Sequence, residues 1–257
     1  MGGESTTRTA PRDGGANRGP AGSRTGQRLS GLAVALGLVL FLGGFAWGAV
    51  VYRPYTVPTS SMAPTIGAGA RVLAERVDGD EVRRGDVVVF TDKTWVTNAP
   101  VVKRVVATGG DKVAVTDGKL TVNDKKIDEP YLADDDLADL QNFPTVTVPE
   151  GRLFLLGDER SGSLDSSAHL TDAAGGTVAR SAVSARVDAV VWPMSGMLER
   201  PTGFEQLGAL SAQGPLRTMV ALIVVGGVLV LAGGAYGPLE KRLVGRSRAR
   251  TGLAGAR

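Results

Sequence analysis

Apolar and polar positions alternate differently in three parts of this chain. From Leu29 to Tyr52, and again from Thr218 to Leu239, no charge interrupts a run rich in Leu, Val, Ala and Gly. Each run, at roughly 22–24 residues, is long enough to cross ~30 Å of hydrocarbon as a helix. Neither shows the apolar stripe of a helix packed on a soluble core. The first is also longer than the apolar core of a cleaved secretory signal, so it is expected to be a retained anchor. Between the runs the pattern shortens to segments dominated by Val and Thr and broken by Gly, Asp and Pro. These segments, Arg71–Val77, Asp86–Phe90, Val101–Thr108, Lys112–Thr116, Lys119–Asn123, Thr145–Val148, Arg152–Leu156 and Val183–Trp192, are predicted strands. Asp117-Gly118 predicts a two-residue hairpin turn.

The fold class expected is mostly β, an antiparallel domain flanked by two transmembrane α-helices. The predicted divisions are a disordered basic tail (1–28), a span (29–52), the β domain (53–217), a second span (218–239) and a second basic tail (240–257). Within the β domain, residues 128–150 read as an acidic surface excursion with a helical turn at Asp134–Leu140.

Charge changes this picture only in its orientation. Residues 1–29 carry five Arg against Glu4 and Asp13, and residues 240–257 carry Lys241 and five Arg against Glu240. The rest holds 18 Lys+Arg against 23 Asp+Glu, so the middle is net −5 and the basicity belongs to the ends. Basic flanks are retained on the cytoplasmic side. Both termini are therefore expected inside a plasma membrane, with residues 53–217 on the extracytoplasmic face. An acidic middle argues against a nucleic-acid partner.

The chain has no cysteine and a single histidine, His169, which excludes disulfides and thiolate chemistry and argues against a metal centre. The remaining candidates lie in three segments. In Val57-Pro-Thr-Ser-Ser-Met-Ala-Pro-Thr-Ile66, two prolines bracket adjacent serines and stiffen the turn that carries them. A serine nucleophile needs a base, and His169 and Lys103 are the two options. Lys103 sits in an apolar strand where either face can be buried. If its own face is, desolvation lowers its pKa and yields a neutral amine. The third segment, Gly157 to Ser167, follows a strand and pairs carboxylates with hydroxyls beyond the needs of a turn.

Together these segments resemble the type I signal peptidases, membrane-bound serine proteases with a Ser–Lys dyad. Pro58-Thr59-Ser60-Ser61-Met62-Ala63-Pro64-Thr65 is similar to the family's nucleophile box, Arg84-Gly85-Asp86-Val87-Val88 to a structural box, and Val102-Lys103-Arg104 through Asp111 to the base box. Gly157-Asp158-Glu159-Arg160 through Asp165-Ser166 is similar to the last. The resemblance implies a coiled antiparallel β-sheet. It makes Ser61 the nucleophile, Lys103 the general base, Ser163 the residue that orients the amine, and Ser61 N–H with the Thr59 hydroxyl the oxyanion donors. Asp158, Asp165 and Arg104 would be supporting groups, with Tyr55, Val57, Met62, Ile66 and Val102 lining the substrate pockets. It also implies cleavage of exported precursors after Ala-X-Ala, no cofactor and no metal. The implied partners are signal-peptide-bearing precursors and the lipid bilayer, with the protein export machinery a further candidate.

Two positions depart from the family pattern. Glu159 stands where Asn or a similar polar residue is usual, and Ser167 where Arg is usual, which leaves Arg160 or Arg104 as substitute partners for Asp165. Two other readings follow from the residues. In one, His169 acts as the base with Asp158 or Asp165. In the other, the β domain is a non-enzymatic scaffold with a degenerated site.

Overall fold

The computed structural model describes residues 24–96, 99–133 and 141–254, with side chains described from Gly26 to Tyr236 within those ranges. They divide into a helical unit, up to Gly43 and from Leu222, and a β unit, Gly44–Ala221.

Two helices, α1 (Arg24–Val51) and α2 (Leu216–Ala254), carry the apolar runs. The stretches Gly26–Val51 and Leu216–Tyr236 are long and apolar enough to cross a membrane. Both helices overrun their predicted limits. The first starts at Arg24, inside the expected tail, and the second continues past Leu239 to Ala254. Charged residues end a span but not a helix, since Arg and Leu are good helix formers. In the helical unit the two pack through small residues. A Cβ on Gly37 would lie 2.7 Å from Gly226 O, and Ser30 Oγ donates to Gly233 O at 2.7 Å. Where water supplies no driving force, such close backbone approach is what holds helices together.

In the β unit the strands are β1 (Tyr52–Val57), β2 (Ala70–Glu75), β3 (Val87–Phe90), β4 (Val101–Thr108), β5 (Lys112–Thr116), β6 (Lys119–Val122), β7 (Lys125–Lys126), β8 (Phe143–Thr147), β9 (Arg152–Leu156), β10 (Val178–Ala179), β11 (Val183–Trp192) and β12 (Gly196–Met197). The larger sheet runs β1-β2-β11-β3-β4-β9-β10, with β12 on β11; the smaller runs β7-β6-β5-β8, and every pairing is antiparallel. Asp117 and Gly118, both at positive φ, form the predicted turn between β5 and β6. The first strand was not foreseen. Pro54 donates no hydrogen bond, which confines it to a sheet edge, and β1 is that edge.

Both faces of the larger sheet are covered. Val87 and Val89 of β3 belong to a cluster with Val57, Met62, Ile66, Val72 and Val187. Val88 and Phe90 belong to another with Val105, Leu153 and Leu155. Burial on both sides explains why β3 reads as an unbroken apolar run rather than an alternating one.

The chain enters and leaves the sheet at one buried polar node. Tyr52 Oη donates to Asp188 Oδ2 at 2.8 Å and accepts Leu216 N–H at 3.1 Å, while Arg200 Nη2 donates to Asp188 Oδ1 at 2.5 Å. Gly214 crosses directly above, where a Cβ would lie 2.2 Å from Asp188 Oδ2.

Candidate active site

The first and fifth strands of the larger sheet's order, β1 and β4, form opposite walls of a single cleft of about 340 Å³, so the sheet is curled on itself. Tyr55, Val57, Ser61, Val102 and Lys103 all line it. From Arg104 onward β4 pairs with β9, and among the described residues Val101–Lys103 have no strand on that side and β1 none on its outer edge.

The nucleophile candidate follows β1 in a tight turn. Ala63 N–H donates to Ser60 O at 2.7 Å and Ile66 N–H to Met62 O at 2.7 Å, and Met62 and Ile66, both 0% exposed, bolt the turn to the core. These two apolar side chains therefore lie beneath the cleft and not on its wall, contrary to the expectation that they line it. Thr59 Oγ1 lies 3.3 Å from Ser61 Oγ.

Lys103 and its neighbour leave β4 on opposite faces, opposite Val88 and Val87 respectively. Both are buried. Lys103 is 3% exposed, and its Nζ donates to Ser163 Oγ at 2.8 Å. Burial pushes the amine below the ordinary lysine value, against the opposing pull of Asp165, Asp158 and Glu159. No hydrogen bond joins Lys103 Nζ to Ser61 Oγ among the described residues; each instead holds its own hydroxyl partner at the cleft. Catalytic hydrogen bonds commonly tighten only with substrate in place.

Arg104, 1% exposed, makes a two-pronged ion pair with Asp158 at 2.8 and 2.6 Å and reaches Gly85 O at 2.9 Å. Asp158 fixes the start of the Gly157–Ser167 loop. Gly157 is the crossing point: a Cβ there would lie 2.1 Å from Ser163 Oγ and 2.5 Å from Ser61 O. Asp165 accepts Gly157 N–H at 2.9 Å, and its other oxygen accepts the Ser167 hydroxyl at 2.7 Å and the Ser167 N–H at 3.0 Å. The partner of Asp165 is thus Ser167 itself. Neither Arg104 nor Arg160 substitutes, because each is committed to another carboxylate.

The second of those commitments corrects the reading of residues 128–150 as a surface excursion. Arg160 donates to both oxygens of Glu129, at 3.0 and 2.6 Å, and Arg160 Nε to Gly157 O at 2.9 Å. Tyr131 lies 3.8 Å over the Arg104 guanidinium and donates to Glu129 Oε1 at 2.6 Å. Glu129 and Tyr131 are buttresses beneath the site, hidden in the sequence by their acidic surroundings. The helical turn expected at Asp134–Leu140 lies outside the described residues.

The apolar shell of the cleft was also incompletely foreseen. Val96, Ala99, Pro100 and Leu164 complete its walls, Leu164 with 75% of its surface exposed. His169 stands apart, stacked on Trp95 at 4.6 Å and bonded to Asp172 at 2.8 Å, with neither Asp158 nor Asp165 as a partner. Among the described residues, no three His, Asp or Glu side chains converge to hold a metal.

The family model described as signal peptidase, peptidase S26, matches residues 29–192, well over half of the chain. The chain belongs to the S26 signal peptidase family. Within it, the chain is 35% identical over 125 residues to signal peptidase I U of Bacillus subtilis, covering 46% of this chain and 66% of that one. It is 32% identical over 195 residues to signal peptidase I of Mycobacterium tuberculosis, covering 56% and 66%. The chain thus spans just under two thirds of the length of these relatives. A crystal structure of a signal peptidase I from Enterococcus faecalis is 27% identical, covering 46% of this chain and 96% of that one, with a TM-score of 0.34. The S26 match takes in α1 from Leu29 onward, β1 and every candidate site residue from Tyr55 to Ser167.

Proposed function

We propose that this chain is a membrane-bound signal peptidase that cleaves exported precursors after Ala-X-Ala sites through a Ser61–Lys103 dyad. The observation that carries this reading is Lys103. A lysine 3% exposed, with one hydroxyl partner and no carboxylate in hydrogen-bond contact, is held for its neutral form in the cleft that Ser61 also lines.

In the mechanism, the Lys103 amine takes the Ser61 proton as Oγ attacks the carbonyl of the last signal-peptide residue. Ser61 N–H and the Thr59 hydroxyl receive the oxyanion. The Lys103 ammonium then protonates the leaving amine. In the second half the amine takes a proton from water, whose oxygen attacks the ester, and the proton returns to Ser61 as the signal-peptide carboxylate leaves. Ser163 holds the amine on line throughout.

The free outer edge of β1 and the open side of Val101–Lys103 suit an extended peptide, which gains backbone hydrogen bonds on either wall. Apolar walls with Tyr55, Val57 and Val102 suit small apolar side chains. The two helices and their basic flanks fit a protein with both termini cytoplasmic and the cleft outside. Neither family departure leaves a broken interaction: Ser167 serves Asp165, and Glu159 is engaged as described below. The scaffold reading therefore has no observation in its favour.

The test is processing of an Ala-X-Ala precursor by membranes carrying the full chain. Ser61→Ala and Lys103→Met are expected to reduce cleavage by several orders of magnitude, about the 10⁴–10⁶-fold typical of lost dyad or triad members. His169→Ala is expected to stay within about 2-fold, as for residues outside the reacting set. Cleavage that survives Lys103→Met but not His169→Ala would overturn the dyad.

A further inference from the structure

Glu159, the residue that departs from the family's polar amide, occupies a position no resemblance explains. Its backbone N–H donates to Ser61 O at 3.3 Å. Its carboxylate folds back onto its own loop, where both oxygens accept Gly162 N–H, at 3.1 and 3.0 Å, and one also accepts the Ser161 hydroxyl. The next residue is Ser163, whose Oγ holds Lys103. A Cβ on Gly162 would lie 2.6 Å from Glu159 Oε2, so the carboxylate has its seat because residue 162 lacks a side chain.

We propose that Glu159 is a positioning residue, fixing the nucleophile's turn by its main chain and the Ser163 turn by its side chain, and so setting the distance between Ser61 and the Lys103–Ser163 pair. The inference rests on the Ser–Lys reading above. A charged carboxylate does this better than an uncharged polar side chain because both its oxygens accept, sharing the Gly162 N–H between them while one also takes the Ser161 hydroxyl, and it donates nothing that needs satisfying. It also has an electrostatic cost. The carboxylates facing Lys103 are Asp165, Asp158 and Glu159, in decreasing order of effect, and each favours the ammonium. Arg104 and Arg160, the cations packed nearby, are neutralised by Asp158 and Glu129.

The experiment is precursor cleavage by the purified full chain in detergent, with kcat and KM followed across the neutral to alkaline range and activity normalised to folded protein by thermal unfolding. Glu159→Ala is expected to lower kcat about 10–100-fold, the scale of a misplaced reacting group, with KM within about 2-fold. Glu159→Gln keeps an acceptor for Gly162 N–H, so it recovers most of the loss. Because it removes one negative charge near Lys103, it also moves the acid limb of the rate profile to lower pH. Gly162→Ala, which evicts the carboxylate from the other side, is expected to match Glu159→Ala, and the double variant to be no worse than either single one. A wild-type kcat in Glu159→Ala, additive losses in the double variant, or an acid limb that stays in place in Glu159→Gln would each overturn the proposal. Ser61→Ala and Lys103→Met run in the same assay. If they cleave, the dyad itself fails; if they are dead while Glu159→Ala matches wild type, only this inference does.

Discussion

At the scale of single residues, the chain keeps one side chain in surroundings that disfavour its charge. Lys103 is buried with one neutral partner, and its amine is pushed below the ordinary lysine value. Below that lowered value the folded protein carries a charge its surroundings disfavour. Between it and the ordinary value of about 10.4 the unfolded chain binds more protons than the folded one, so stability rises with pH across that window. Two outcomes follow. The rate of cleavage is expected to climb with pH as the amine loses its proton, and Lys103→Arg, whose guanidinium stays charged, to be inactive at every pH. Lys103→Met is expected to unfold at a higher temperature than wild type at neutral pH while cleaving nothing, by about 2–4 °C for each kcal/mol relieved. A lower melting temperature for Lys103→Met would show that burial is not strained there. The sequence pointed to Ser61, Lys103 and Ser163 as candidates because their flanking residues are patterned, and the first two line one cleft while the third holds the amine. It did not expose Met62 and Ile66 as core, since apolar residues beside a nucleophile look alike whether they face ligand or protein. The pairing of Asp165 with Ser167 was hidden for a different reason: a short local hydrogen bond replaces a long-range ion pair without leaving any charge signal.

At the scale of elements, periodicity found the longer inner strands and missed the two-residue strands β7, β10 and β12 and the one that begins without a break after α1. Pro54 lowered the strand signal of β1, although at an edge it costs nothing. Glu129 and Tyr131 escaped for the opposite reason, because an acidic stretch reads as surface unless the burying cation, here Arg160, is known to face it. The node at Asp188 ties β1, β11 and the start of α2 together. Tyr52→Phe removes the hydroxyl and leaves Leu216 N–H and Asp188 Oδ2 each short of a partner. A loss of about 1–3 kcal/mol for each buried group left unsatisfied is expected, read as a lower urea midpoint of the full chain in detergent. An unchanged midpoint would mean that water replaces the hydroxyl.

At the scale of the whole molecule, two apolar helices with basic outer flanks enclose an acidic β unit in the sequence. The absence of native cysteine makes its sidedness directly measurable. Glu150→Cys in intact cells is expected to react with a membrane-impermeant maleimide, and Ser5→Cys and Thr251→Cys only after permeabilisation. Labelling of either terminal cysteine in sealed cells would reverse the orientation. The two long apolar helices were legible because lipid imposes a length rule that a single sequence obeys openly. The curl of the sheet was legible only through the family resemblance; which strands it brings to one cleft, β1 and β4, was not, because register and twist leave no mark in composition.

Gly157 gives a way to sort relatives without an assay. Two loops from opposite ends of the domain touch at its α-carbon, and even one methyl group would push them apart. A sister chain that keeps every hydroxyl and amine of the site but carries any side chain at this position would have lost its trade while still looking equipped for it.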